Sequence, residues 1–101
     1  MSDDRSAFIV REMGYSVREF AGVLPSAMRD WRVDGGSDGW QVSDPDGAVI
    51  ASIRISPQHE RRMGSLSLPV LAVTIDLGGT TLEQAAEFMR RFERGFHRGG
   101  G

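Results

Sequence analysis

The apolar residues of this chain change their spacing twice, and that change limits the folds open to it. Leu82, Ala85, Met89, Phe92 and Phe96 recur at the spacing of one stripe along a helix. Between Trp31 and Ile75 the apolar residues recur at every second position, the spacing of half-buried strands. Ahead of Trp31 the helical spacing returns, at Val17, Phe20, Ala21 and Leu24. Two helical stripes need a surface to cover them, and one face of a single antiparallel sheet supplies it. The pattern therefore predicts an α+β fold: a two-layer sandwich, with an antiparallel sheet of about four strands and an N-terminal and a C-terminal helix packed on one face.

Local signals set the boundaries. Ser16 and Glu19 have the spacing of a capping box, in which hydroxyl and carboxylate satisfy each other's free backbone N–H groups. Pro25 is expected to stop that helix, because proline disfavours helical geometry in the residue before it. "AFIV" (7–10) fits a short strand or part of a helix. Trp31 and Val33, then Trp40 and Val42, flank the turn-rich "DGGSDG" and predict a hairpin, with the tryptophans as candidate cross-strand neighbours. "DPDG" (44–47) makes the next turn, with Pro45 second and Gly47 fourth. In "AVIASIRIS", Val49, Ala51, Ile53 and Ile55 share one face and Ser52, Arg54 and Ser56 the other. "PQHERRMG" reads as a connector. "SLSLPVLAVTIDL" reads as the last strand; its apolar parity switches at Pro69, and a bulge there would turn Leu66 and Leu68 to the core together with Leu71, Val73, Ile75 and Leu77. Thr80 with Glu83, or Thr81 with Gln84, caps the final helix. Gly95 sits inside that helix, at about 1 kcal/mol relative to alanine, or closes it in left-handed geometry. Phe96 is buried in both cases.

Composition narrows the function. The chain has 101 residues, room for a single domain over 1–101, with 1–6 and 99–101 expected to be disordered. It has no cysteine, which removes disulfides, thiolate nucleophiles and cysteine-based metal sites. All 12 basic residues are arginine, so lysine Schiff-base chemistry and a phosphate-loop lysine are excluded. A net charge of −2 gives no overall attraction to nucleic acid or anionic lipid. No apolar run approaches the roughly 20 residues that span a bilayer, and "MSDDRSAF" lacks the apolar core of a signal peptide. The expected setting is cytoplasmic, with no membrane partner.

No reaction constellation stands out. His59 and His97 lie in no metal-ligand pattern, and Asp34, Asp38, Asp44 and Asp46 fall where turns need them. No catalytic, cofactor or metal-binding residue is assigned. What remains is a candidate interaction surface. Trp31 and Trp40 supply aromatic anchors. Arg54, Arg61 and Arg62 form one basic group; Arg90, Arg91 and Arg94, with Arg98, form another, at the end of the last helix where its dipole favours cations.

The string "ERRMGSLSLPVLAVTIDLGGTTLEQAAEFMRRFERGFHRGGG", with "FAGVLPSAM" upstream, resembles a group of small uncharacterised proteobacterial proteins. These pair an L-x-L-P-V strand with a C-terminal helix ending F-x-R-x-F-x-R-G-G-G. The resemblance implies a compact stand-alone domain, carries over no catalytic residues, and makes the glycine tail a regular feature of the group. A glycine-activating carrier of the β-grasp type would extend its tail from a strand, whereas this tail follows a helix. The functional expectation is a small non-catalytic protein-interaction or assembly module, self-associating or binding another protein. The alternative is nucleic-acid or phosphate-ligand binding through the arginine-rich helix end.

Overall fold

The structure is a computed structural model and describes residues 8–97. The expected disorder of residues 1–6 and 99–101, and Arg98, lie outside the described residues. Nine elements follow in order: β1 (Phe8–Met13), α1 (Val17–Met28), β2 (Arg32–Gly36), β3 (Gly39–Ser43), β4 (Val49–Pro57), β5 (Arg61–Met63), β6 (Leu66–Leu68), β7 (Leu71–Asp76) and α2 (Leu82–Gly95). Five strands form one antiparallel sheet in the order β1-β7-β4-β3-β2, and β5 and β6 form a separate hairpin. Both helices lie on one face, as the two stripes require. Of "AFIV", Phe8 to Val10 open the edge strand β1, and Ala7 lies outside the described residues.

The Ser16–Glu19 capping box forms in both directions, at 3.1 and 2.9 Å. Thr81 caps α2 by accepting the Gln84 N–H at 3.1 Å. Thr80 does something else: its hydroxyl donates to the Ile50 carbonyl at 2.5 Å. Ile50 sits at a register shift between β3 and β4, where Ala51 faces Val42 but Val49 faces Ser43. The extra residue breaks the alternation. Ile50 and Ala51 both turn inward and Val49 is left exposed, contrary to the simple two-residue period.

Pro25 does not stop α1, which runs three residues beyond it. Proline lacks an N–H and frees one carbonyl in the preceding turn, but the continuation buries Ala27 and Met28 against the core. The helix ends at Arg29, whose N–H reaches the Pro25 and Ser26 carbonyls.

The α2 stripe is also rotated from its expected phase. Leu82 is 91% exposed, because it is the first helical residue and projects past the sheet; Phe88, outside the expected stripe, is fully buried. The aromatic core then runs without a break. Phe88 stacks on Phe92 (5.8 Å between centroids), Phe92 meets Phe96 (4.7 Å), and Phe96 stacks on Phe20 (4.7 Å), which touches Trp40 (5.5 Å). Tyr15 packs edge-on to Phe96 and donates its hydroxyl to the Phe96 carbonyl at 3.1 Å.

Gly95 ends α2 from inside, with no left-handed cap, since Phe96 follows at φ −101. Its reason for being glycine is packing. A Cβ there would collide with the Cβ of Ala27 and stand 3.0 Å from the Ala27 Cα. Gly95→Ala should therefore destabilise the fold by about 1–3 kcal/mol, against the roughly 1 kcal/mol gain in helix propensity. Chemical denaturation checks the sign, and a gain in stability would show that the helices do not meet there. Phe88→Ala should cost about 3–5 kcal/mol and Leu82→Ala no more than about 0.5 kcal/mol. Equal losses in thermal melts would contradict the observed stripe.

Candidate interaction surface

Arg91 holds the layer of helices together and is not free for a partner. Its side chain is only 14% exposed. Nη1 donates to the Met28 carbonyl at 2.6 Å and to Asp30 at 2.9 Å, and Nε donates to Glu87 at 2.7 Å. The guanidinium lies 4.0 Å from the centre of the Trp31 ring, a favourable cation–π geometry. It thus clasps the turn that links α1 to β2, in which Trp31 N–H bonds the Met28 carbonyl and Arg29 takes the unusual φ of 60°. Burial opposes the charge of Arg91; hydrogen bonds to Glu87 and Asp30 outweigh that, so its pKa is raised. Arg90 also pairs with Glu87, at 2.5 Å. Of this basic group only Arg94 has no ion pair among the described residues.

The other expected anchors are spread apart. Trp40 is buried beneath α1, opposite Gly35, and Trp31 precedes β2, so the two tryptophans are not cross-strand neighbours. The hairpin pairs Val33 with Val42, and Gly35 takes φ +126, where a Cβ would strike the Gly39 carbonyl, so only glycine fits. Arg54 lies on the sheet face away from the helices, between Thr74 and Gly39. Arg61 and Arg62 lie on the β5–β6 hairpin, where Arg61 bonds Glu12 at 3.3 Å. The two arginine groups stand on different layers and do not merge into one basic surface.

Asp34, expected in a turn, lies in β2 and pairs with Arg32; Asp44 serves a turn. Asp44 accepts from the Asp46 and Ala48 N–H groups at 3.0 and 2.9 Å and from Gln84 at 3.2 Å, fixing the "DPDG" turn to α2. Among the described residues no cluster of three or more His, Asp or Glu could hold a metal ion, and no helix is long and apolar enough to cross a membrane.

The exposed apolar residues lie elsewhere. Expected to face the core, Leu66 and Leu68 are exposed, and so is Met63. Pro69 and Val70 break the strand instead of bulging it, so β6 leaves the main sheet and pairs with β5, in the segment read as a connector. On β1, Phe8 and Val10 are 60% and 70% exposed on the open face. On its other face, Arg11 bonds Glu93 of α2 at 2.6 Å. A cleft of about 350 Å³ opens between β1 and α2, lined by Arg11, Met13, Tyr15, Phe92, Glu93 and Phe96. The alternation in "FIVREM" was the available sequence signal for this strand, but six residues suit a helical turn as well. No family model, curated protein or solved structure matches the chain.

Glu87 gives the clasp a pH signature. Hydrogen bonds from Arg91 and then Arg90 lower its pKa from 4.5 to about 2. The carboxylate is favoured in the folded chain, so its contribution is complete above the unfolded value and disappears as pH falls toward 2. The stability gap between the wild type and Glu87→Gln should be widest at neutral pH and narrow between pH 4.5 and 2. Urea titrations at several pH values measure it; a constant gap would mean Glu87 is not held by these arginines.

Proposed function

We propose that this chain is a small, non-catalytic assembly module that binds protein through its sheet layer, with a second copy of itself as the favoured partner. The observation that carries the reading is where exposed apolar side chains gather. The helices cover one face of the sheet, while Phe8 and Val10 on the edge strand and Met63, Leu66 and Leu68 on the hairpin remain in solvent. Scattered apolar residues are ordinary on a surface; groups on a strand edge and on a projecting hairpin are features that partners use. Of the arginines that suggested an anionic ligand, Arg90 and Arg91 on the last helix and Arg61 on the hairpin are committed to internal pairs, which lowers the appeal of nucleic acid.

Multi-angle light scattering on a concentration series tests the reading. The mass should rise from 11.1 kDa toward twice that value between micromolar and millimolar chain. A mass that stays at 11.1 kDa throughout would contradict self-assembly.

A further inference from the structure

We infer that β1 is the assembly edge, pairing antiparallel with β1 of a second copy so that Val10 meets Val10 at the two-fold axis. This rests on the self-assembly reading above and names the surface. The two ends of the sheet differ. β2 exposes no large apolar residue and ends in two glycines, Gly35 at φ +126; both strands carry ion-paired charges, Arg32–Asp34 on β2 and Arg11 and Glu12 on β1. β1 is six residues long, has no proline or glycine, keeps regular pairing with β7 throughout, and exposes Phe8 and Val10. Such an edge presents unpaired backbone donors and acceptors to another strand.

Charge and overlap along β1 together favour one register: an axis at Ile9 would pair only residues 8–10 of the strand, whereas one at Val10 pairs 8–12. Directly opposed residues of an antiparallel pair lie on the same sheet face, so a two-fold axis must pass through a like pair. An axis at Arg11 sets two arginines opposite each other, and one at Glu12 sets two glutamates; both are unfavourable. An axis at Val10 opposes Phe8 to Glu12 and Ile9 to Arg11, with no like charges paired. It places Val10, its copy and the two diagonal phenylalanines in one apolar strip on the open face. On the other face it brings Ile9 of the second copy beside Arg11, at the cleft lined by Met13, Phe92 and Phe96. Both sides of the seam thereby gain apolar cover, and two five-stranded sheets become one.

The absence of cysteine gives a clean test. Opposed Cα atoms lie about 4.5–5.5 Å apart, within disulfide reach, whereas in this register Phe8 is about 13 Å along the strand from its copy. Under mild oxidation Val10→Cys should become a covalent dimer on a non-reducing gel, and Phe8→Cys and Leu66→Cys should stay largely monomeric. Val10→Lys, at an exposed site, should weaken self-association about tenfold or more, with a thermal melt like that of wild type when both are dilute enough to be monomeric. Cross-linking of Leu66→Cys in preference to Val10→Cys, or a Val10→Lys protein that associates like wild type, overturns the β1 seam while leaving self-assembly standing. A wild type that never exceeds monomer mass overturns both. Capture of an unrelated extended peptide on β1 by a monomeric wild type likewise overturns the second-copy assignment.

Discussion

Two helices approach each other with almost nothing between them where Gly95 of α2 passes Ala27 of α1, and the rest of the fold follows from that contact. Close approach lets Phe96 reach Phe20 and Tyr15, so the aromatic column closes at the C-terminal end of α2. It also brings Arg91 to the end of α1, where one guanidinium satisfies a terminal carbonyl, pairs with two carboxylates and covers Trp31. A wider spacing would dissolve both the aromatic column and the clasp. The glycine is thus a packing residue, and its cost in helix propensity is offset by what the contact permits.

The same arrangement spends the apolar surface of both helices on one face of the sheet. The helices leave the opposite face uncovered; it is mostly polar or small at its centre (Ser52, Arg54, Thr74), with exposed apolar residues at Phe8 and Val10 of β1 and at Val49. The short, glycine-ended β2, with no large exposed apolar residue, presents one edge of the sheet. The other edge, β1, exposes Phe8 and Val10. The β5–β6 hairpin is a second outlier: two strands alone are marginally stable in water, and this pair leaves its apolar residues exposed. The proposed assembly role grows from these asymmetries.

Much of the layer architecture was legible in the sequence because it rests on period. The capping box at Ser16, the "DPDG" turn and the Glu87–Arg91 pair follow from local chemistry that needs no tertiary context. The departures share a cause: tertiary contacts outvoted a local preference. Burial of Ala27 and Met28 carried α1 past Pro25. The Ile50 bulge, held by Thr80, reversed the faces of Val49 and Ile50. Parity at Pro69 correctly marked a break, but a bulge and a strand exit give the same pattern in one dimension. The arginines were visible as a group; the commitment of Arg91 to Asp30 and Trp31 was not, because residues 30 and 91 meet only in the fold.

The most direct measurement of the central claim is amide hydrogen exchange, residue by residue, at low and high chain concentration. Edge pairing through β1 requires that outward-facing amides of residues 8–13 exchange more slowly as concentration rises, while those of β2 do not change. Concentration-independent exchange along β1 in a sample that self-associates, or protection at β2 or the β5–β6 hairpin instead, would contradict it.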